Sequence, residues 1–158
     1  MKQQIDENLF LLMKRVIRTN GSMEIAAEGS SMFPFIREGD ICRFRPAELN
    51  SFSKGDIILF RSDTGHLIAH RFLSVIHRDE ECLYCCRGDT NVGYDKLIRI
   101  EQMLGVLDSI RKEGKDMLMS DLFVSIWTKA IVTLPFLSKG LNRYISRKNK
   151  HSMRGSSV

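Results

Sequence analysis

The chain of 158 residues lacks long hydrophobic runs and contains only three prolines and one tryptophan. No stretch approaches the ~20 apolar residues that a membrane-spanning helix needs. The first residues do not form a secretory signal, because the apolar run Leu9 to Met13 is too short and acidic residues precede it. We therefore expect no transmembrane span or signal peptide, and a location in the cytoplasm or peripherally at the inner membrane.

Cysteine is also scarce, with four residues at positions 42, 82, 85 and 86. The sequence Cys-Leu-Tyr-Cys-Cys invites a zinc-site interpretation, but no second ligand pair has suitable spacing. On a strand, Cys85 and Cys86 would face opposite sides. The cysteines are therefore expected to pack as ordinary side chains in a reduced compartment, and neither a metal nor a cofactor is predicted.

Acidic residues are missing from the C-terminal end. From Ser138 onward the chain carries six basic residues and no acid, while its net charge is +5. The rest of the chain has 18 basic and 19 acidic residues and is close to neutral. Such a tail contacts anionic lipid or nucleic acid, or is solvated.

Helical spacing is found at both ends of the sequence. The segment Asp6 to Arg18 predicts a helix, and Asn20-Gly21 should end it. Residues 121–134 predict a second, amphipathic helix, which Pro135 interrupts. The predicted apolar stripes are Leu9, Leu12, Met13, Val16 and Ile17 in the first helix, and Leu122, Phe123, Ile126, Trp127, Ala130, Ile131 and Leu134 in the second.

Between these helices the pattern changes to short strands separated by Gly, Pro, Asn and Asp. Strands without intervening helices favour an antiparallel, mainly β domain, folded over as a sheet or partial barrel. We expect an N-terminal helix over 1–20, a β domain over 21–112, and an amphipathic helix with a basic tail over 113–158. The predicted strands are Met23–Ala27, Asp40–Arg45, Asp56–Arg61, His66–His77, Cys82–Arg87 and Met103–Arg111.

Four segments of this β domain bring together the residue types of a serine hydrolase. The turn GSSMFP contains Ser31, whose hydroxyl needs a nearby base to act as a nucleophile. KGDIILF enters an apolar strand, AHRF supplies His70, and RGDTNVGYD supplies Asp89 and Asp95. Serine, histidine and carboxylate thus follow one another along the chain on different elements.

These ordered segments resemble the motifs of the type I signal peptidase family and of its self-cleaving SOS-type repressor relatives. The resemblance extends from about Ala27 to Leu107, roughly half of the chain. It implies that Ser31 is the nucleophile, that His70 is the general base, and that Asp95 orients the histidine. Asp89 matches a neighbouring carboxylate that organises the site.

The residue at position 70 distinguishes between two branches of that family. Bacterial members have a lysine before the arginine of the third motif, whereas His70 stands at that position here. The chain is therefore similar to the endoplasmic-reticulum and archaeal branch. A neutral imidazole can accept the serine proton at neutral pH, while a lysine could do so only if burial lowered its pKa greatly.

The residues around the nucleophile suggest how substrate and oxyanion are held. The Ser31 backbone N–H is the natural oxyanion donor. Many family members carry a serine two positions earlier, where Gly29 stands here, so the second donor stays open. Ser30 and Pro34 complete the predicted oxyanion and substrate segment, and Met32 lines either the substrate groove or the core. Ser30 is an alternative nucleophile, but Ser31 is followed directly by methionine and is preferred.

The sequence therefore predicts a serine endopeptidase that cleaves an extended leader or signal peptide. The alternatives are a self-cleaving regulatory module and a non-catalytic peptide-binding module. A repressor would need a DNA-binding domain, and one N-terminal helix is too little for a helix-turn-helix. The predicted partner is thus a peptide or protein, and not nucleic acid.

Family members that process exported proteins usually have an N-terminal membrane anchor. Here residues 121–158 could instead make a peripheral membrane contact, with Trp127 in the interface and the cations on the headgroups. The other interpretation is a terminal helix that packs on the domain with a solvated tail. Both stay open at this point.

Overall fold

In the computed structural model, which describes residues 4–48 and 52–154, the chain forms one antiparallel sheet between an N-terminal helix and two C-terminal helices. The mainly β prediction is confirmed, and the sheet is not closed into a barrel. The elements are α1 (Glu7–Asn20), β1 (Met23–Ala26), β2 (Ile41–Pro46), β3 (Ile57–Arg61), β4 (Leu67–Arg78), β5 (Glu81–Arg87), a 3-10 turn (Ile100–Gln102), β6 (Met103–Lys112), β7 (Lys115–Leu118), α2 (Leu122–Thr133) and α3 (Pro135–Arg154).

The strands follow the order β1-β2-β6-β3-β4-β5, and β7 pairs with β6. β6 is long enough to pair with β2 along one edge and with β3 and then β7 along the other. Where α1 crosses the sheet, β6 carries Gly105. A Cβ on this glycine would lie 2.7 Å from the Arg45 carbonyl oxygen and 2.9 Å from Ile17 Cδ1. The missing side chain therefore permits close contact among α1, β2 and β6.

β3 lies in the centre of the core. Its residues Ile57 to Phe60 are all buried, as expected for a strand that is covered on both faces. Because successive side chains point to opposite faces, Ile57 and Leu59 join one apolar cluster while Ile58 and Phe60 join another. This central strand positions β4, which pairs with it from Leu67 to Arg71.

α1 confirms the predicted helix and part of the predicted apolar stripe. Asp6 caps it by accepting a hydrogen bond from the Leu9 N–H, and Gly21 ends it with a φ of 75°. Of the predicted stripe, Ile17 is buried and Met13 packs against the core, whereas Leu9, Leu12 and Val16 are exposed; Phe10, which lies outside the stripe, is buried. Periodicity predicts an apolar side of the helix, and contact with the sheet decides which part of that side is buried.

The C-terminal part differs from the prediction in two ways. The strand β7 was not predicted, and the predicted basic tail is largely the helix α3, which begins at Pro135, a favourable first helical position for proline. In α2 the predicted apolar stripe is divided: Ile131 is buried and Trp127 packs against the core, whereas Leu122, Phe123 and Ile126 are exposed.

Within residues 4–48 and 52–154, no single helix is long and apolar enough to cross a bilayer. α2 together with Phe136–Lys148 of α3 meets the length and composition criteria only as a pair, and the two helices are bent by 98° at their junction.

Candidate active site

Ser31 lies in a tight turn between β1 and β2. The turn is closed by hydrogen bonds from the Phe33 N–H to the Ser30 carbonyl (3.1 Å) and from the Ile36 N–H to the Met32 carbonyl (2.9 Å). Within the part of the chain that the structure describes, these bonds leave the Ser31 N–H uncommitted. The turn therefore leaves a backbone donor free beside the hydroxyl, as an oxyanion site requires.

The loop that follows β5 forms hydrogen bonds with the backbone of this turn. The Thr90 N–H donates to the Ser31 carbonyl oxygen at 2.9 Å, and the Thr90 hydroxyl lies 3.2 Å from the same oxygen. A Cβ on Gly88 would come within 2.9 Å of that oxygen, so glycine permits the close approach. The two motifs GSSMFP and RGDTN are thereby fixed against each other.

His70 is 1% exposed and lies in the middle of β4, paired with Ile58 of β3. Its Nδ1 atom is 2.6 Å from Asp95 Oδ2. Asp95 is in turn attached to β5, because its N–H donates to the Cys86 carbonyl at 3.0 Å. A carboxylate only accepts hydrogen bonds, so the proton of the neutral ring resides on Nδ1 and leaves Nε2 with a lone pair.

His70 Nε2 is buried and has no hydrogen-bond partner among the described residues. His70 and Ser31 line the same cavity of about 100 Å³, but the hydrogen bond between the Ser31 hydroxyl and Nε2 is not formed. Buried polar atoms are nearly always paired, and a catalytic role is one reason for an exception. In unliganded active sites, catalytic hydrogen bonds are often long and tighten when substrate binds.

The shared cavity is mainly apolar. Its walls come from β1, β2, β3, β4 and the Ser31 turn. The apolar lining residues are Ile25, Ala26, Ala27, Met32, Ile36, Cys42, Phe44, Leu59, Leu67, Ile68 and Ala69. A small apolar group fits this volume.

Cys42 also lines this cavity, and its thiol is a second possible nucleophile beside the Ser31 hydroxyl. Burial, and then the nearby charge of Asp40, raise the pKa of its thiol to about 12. The thiolate is the reactive form of cysteine, so Cys42 is inert at neutral pH. Ser31 is the better nucleophile in the cavity.

Asp89 does not contact His70 but forms a buried ion pair with Arg71. Asp89 Oδ1 accepts from Arg71 Nε at 2.8 Å, and Oδ2 accepts from Nη2 at 2.7 Å. Arg71 also donates to the Gly55 carbonyl and to the Thr128 hydroxyl, and the Trp127 indole N–H donates to Asp89 Oδ2. The ion pair is bidentate. Together with these hydrogen bonds it connects β4, the loop before β3, the loop after β5 and α2, and Arg71 is adjacent to His70 in the sequence.

The remaining predicted residues surround the serine. Gly29 has a φ of 77°, is exposed, and lines both the apolar cavity and a second cavity of about 340 Å³. Ser30 lines only the second cavity, and its carbonyl accepts the turn hydrogen bond from Phe33. Met32 is buried and belongs both to the core and to the apolar cavity, while Pro34 is half-buried and lines neither.

Sequence reasoning missed the contributions of α2 and α3. Asn142 donates to the Thr90 carbonyl at 3.0 Å, and the ring of Tyr144 stacks on Phe33 at 5.7 Å. Asn142 also borders the second cavity together with Ile145 and Ser146. Thr90 could have been noticed because it lies inside RGDTN, but no signal in the sequence links helices so distant along the chain to this turn.

The four segments that carry the resemblance thus converge in space. GSSMFP supplies Ser31, AHRF supplies His70 and Arg71, and RGDTNVGYD supplies Asp89, Thr90 and Asp95. KGDIILF supplies the Gly55 carbonyl that accepts from Arg71 at 2.8 Å. Comparison with protein-family models and with curated proteins finds no match to the chain.

Proposed function

We propose that this protein is a serine endopeptidase of signal-peptidase type that cleaves an extended peptide. The observation that carries the proposal is the state of His70. The imidazole is buried, is fixed through Nδ1 to Asp95, and has an unpartnered Nε2, and His70 lines the same cavity as Ser31. A buried base with one oriented and one free nitrogen is what proton transfer from a serine requires.

The reaction follows the usual order of acyl transfer. Ser31 Oγ attacks the scissile carbonyl carbon, and its proton passes to His70 Nε2. The imidazolium gives that proton to the leaving amine when the C–N bond breaks, and an acyl ester remains on Ser31. Water then attacks the ester with His70 as base, which releases the acid and returns the proton to Ser31. Asp95 stabilises the imidazolium in both halves.

The surroundings support a peptide with a small apolar side chain near the scissile bond. The free Ser31 N–H supplies one oxyanion donor, and the apolar cavity beside it accommodates a small side chain. β1 provides an edge strand that leads into the Ser31 turn, and an extended peptide can pair with such an edge. The resemblance to signal peptidases extends this to leader or signal peptides.

Active-site labelling tests the proposal. The full chain is incubated with a fluorophosphonate probe, and we expect labelling in the wild type, loss of labelling in Ser31→Ala, and no change in Ser125→Ala. Ser125 is exposed on α2 and serves as the matched control. Labelling that persists in Ser31→Ala and disappears in Ser30→Ala would transfer the role to Ser30, and equal labelling of all variants would disprove the proposal.

One observation favours a second candidate, a peptide-binding module without catalysis. The Ser31–His70 hydrogen bond is not formed in the structure. Such a module would bind peptides in the cavity but would not turn over. Binding of a leader peptide to the wild type, without any probe labelling or product by mass spectrometry, would select this candidate over the peptidase.

A further inference from the structure

α2 is apolar on both of its faces. Val124 and Ile131 are buried against the domain, while on the outer face Leu122, Phe123 and Ile126 are 77%, 64% and 59% exposed. These three residues are one helical turn or less apart and form a continuous surface, here called the outer face of α2. Ser125 and Lys129 are also exposed on α2, so its outer side combines apolar side chains with a hydroxyl and a cation, as interfacial helices do.

The segment that carries this face has a charge of one sign. From Leu122 to the end of the sequence there are seven basic residues and no acidic residue. Lys129, Lys139, Arg143, Arg147 and Lys148 are exposed, and none forms an ion pair within residues 4–48 and 52–154. An apolar face that carries Lys129 and is followed along the chain by further cations without counter-charges matches a surface with an apolar interior and anionic headgroups.

The inner face of α2 limits how deep the helix can enter a bilayer. Trp127 donates to Asp89 at 3.1 Å, Arg71 donates to the Thr128 hydroxyl at 3.0 Å, and Arg87 donates to the Ile131 carbonyl at 3.4 Å. Full insertion would break these bonds and leave the Arg71–Asp89 pair without its α2 partners. Only the outer face is free to enter lipid.

We propose that the outer face of α2, with the basic residues of α3, docks the protein peripherally on an anionic phospholipid bilayer. Nucleic acid would engage the cations but would leave Leu122, Phe123 and Ile126 exposed to water. A two-fold contact between copies would cover those residues, but it would bring the same uncompensated basic segments together. A lipid surface satisfies both features at once.

Vesicle co-sedimentation of the full chain tests this proposal. We expect binding to vesicles of phosphatidylcholine mixed with phosphatidylglycerol, weaker binding to phosphatidylcholine alone, and weaker binding at high salt. The triple variant Lys139→Gln/Arg143→Gln/Arg147→Gln should lower the partition coefficient roughly 100-fold, because each cation near an anionic surface contributes about fivefold. Phe123→Ser/Ile126→Ser should lower binding to both vesicle types.

A matched control is available on α1, where Leu11 and Leu12 are each 54% exposed. Leu11→Ser/Leu12→Ser removes a comparable apolar area and should leave vesicle binding unchanged, and circular dichroism verifies the fold of each variant. Absence of binding to the mixed vesicles would overturn the proposal. It would also fail if the α1 variant lost binding equally, or if Phe123→Ser/Ile126→Ser altered only the oligomeric state, which would identify a second copy as the occupant.

Discussion

At the scale of single residues, the proposed reaction depends on the proton of one buried imidazole. Asp95 fixes that proton on His70 Nδ1 across 2.6 Å, and this leaves Nε2 able to accept. An amide at position 95 could donate to Nδ1 and so favour the other tautomer, with the proton on Nε2. The ring would then be unable to act as a base.

We therefore expect Asp95→Asn to lower kcat by about 10⁴, the scale found for the carboxylate of a serine-protease triad. The measurement is steady-state cleavage of a leader peptide, with thermal unfolding as the check that the variant is folded. Asp63→Asn is the control, because Asp63 is an exposed carboxylate near the same loop and does not contact His70. An unchanged kcat in Asp95→Asn would contradict an orienting role.

The residues of the candidate site could be identified from the sequence only because their motifs are local. Ser31, His70 and Asp95 each lie in a short recognisable segment, and the structure brings His70 into contact with Asp95. The missing Ser31–His70 hydrogen bond could not be predicted, because motifs specify residue types and not ångström-scale separation. The Trp127–Asp89 hydrogen bond could not be predicted either, because it joins two residues 38 positions apart in the sequence, one in a loop and one in α2.

At the scale of elements, strand positions were easier to predict than buried faces. Each of the six predicted strands lies within one residue of its observed ends, because Gly, Pro, Asn and Asp mark the turns. β7 was missed because Lys115–Leu118 has little apolar alternation and depends on pairing with β6. The apolar stripe of α1 was predicted only in part, because tertiary contact buries Phe10 and Ile17 but leaves Leu9, Leu12 and Val16 exposed.

α2 is the element whose role changes most in the structure. It is part of the site's support, because Trp127 and Thr128 bond to the Arg71–Asp89 pair. A Cβ on Gly55 would also lie 2.3 Å from Thr128 Cγ2, so the loop before β3 packs tightly against α2. The C-terminal helices are therefore integrated with the β domain.

Trp127→Phe tests this integration. Phenylalanine retains most of the packing but removes the N–H that donates to Asp89 Oδ2, so we expect a loss of about 2 kcal/mol in the free energy of unfolding. Urea denaturation measures the loss, and Ile126→Ala on the exposed outer face should change stability much less. Equal stability of Trp127→Phe and wild type would show that the bond contributes nothing.

At the scale of the whole molecule, one guanidinium connects the separate parts. Arg71 extends from β4, the strand of His70, and bonds to the Gly55 carbonyl, to Asp89 after β5 and to Thr128 in α2. The side chains of Arg71 and Asp89 are 2% and 1% exposed. Two charges so deeply buried are tolerable only because each has several partners, and the network breaks if either is removed.

We expect Arg71→Met to lower the free energy of unfolding by about 3–5 kcal/mol, since Asp89 would remain as a buried charge without its partner. Arg71→Met/Asp89→Leu should recover part of that loss, because the double variant buries no unpaired charge. The surface pair Arg99–Glu81, with side chains 60% and 53% exposed, supplies the contrast. Arg99→Gln should lose less than about 1 kcal/mol.

Chemical denaturation measures all three variants, and peptide cleavage by the folded fraction adds a second readout. Because Arg71 and His70 are neighbours on β4 and Asp89 is one residue from the Thr90 that holds the Ser31 turn, the double variant should recover stability without recovering full activity. Recovery of both would mean that apolar packing alone positions Ser31 against His70. Recovery of stability alone would mean that the ion pair is needed to hold AHRF, on β4, in position against RGDTN, which follows β5.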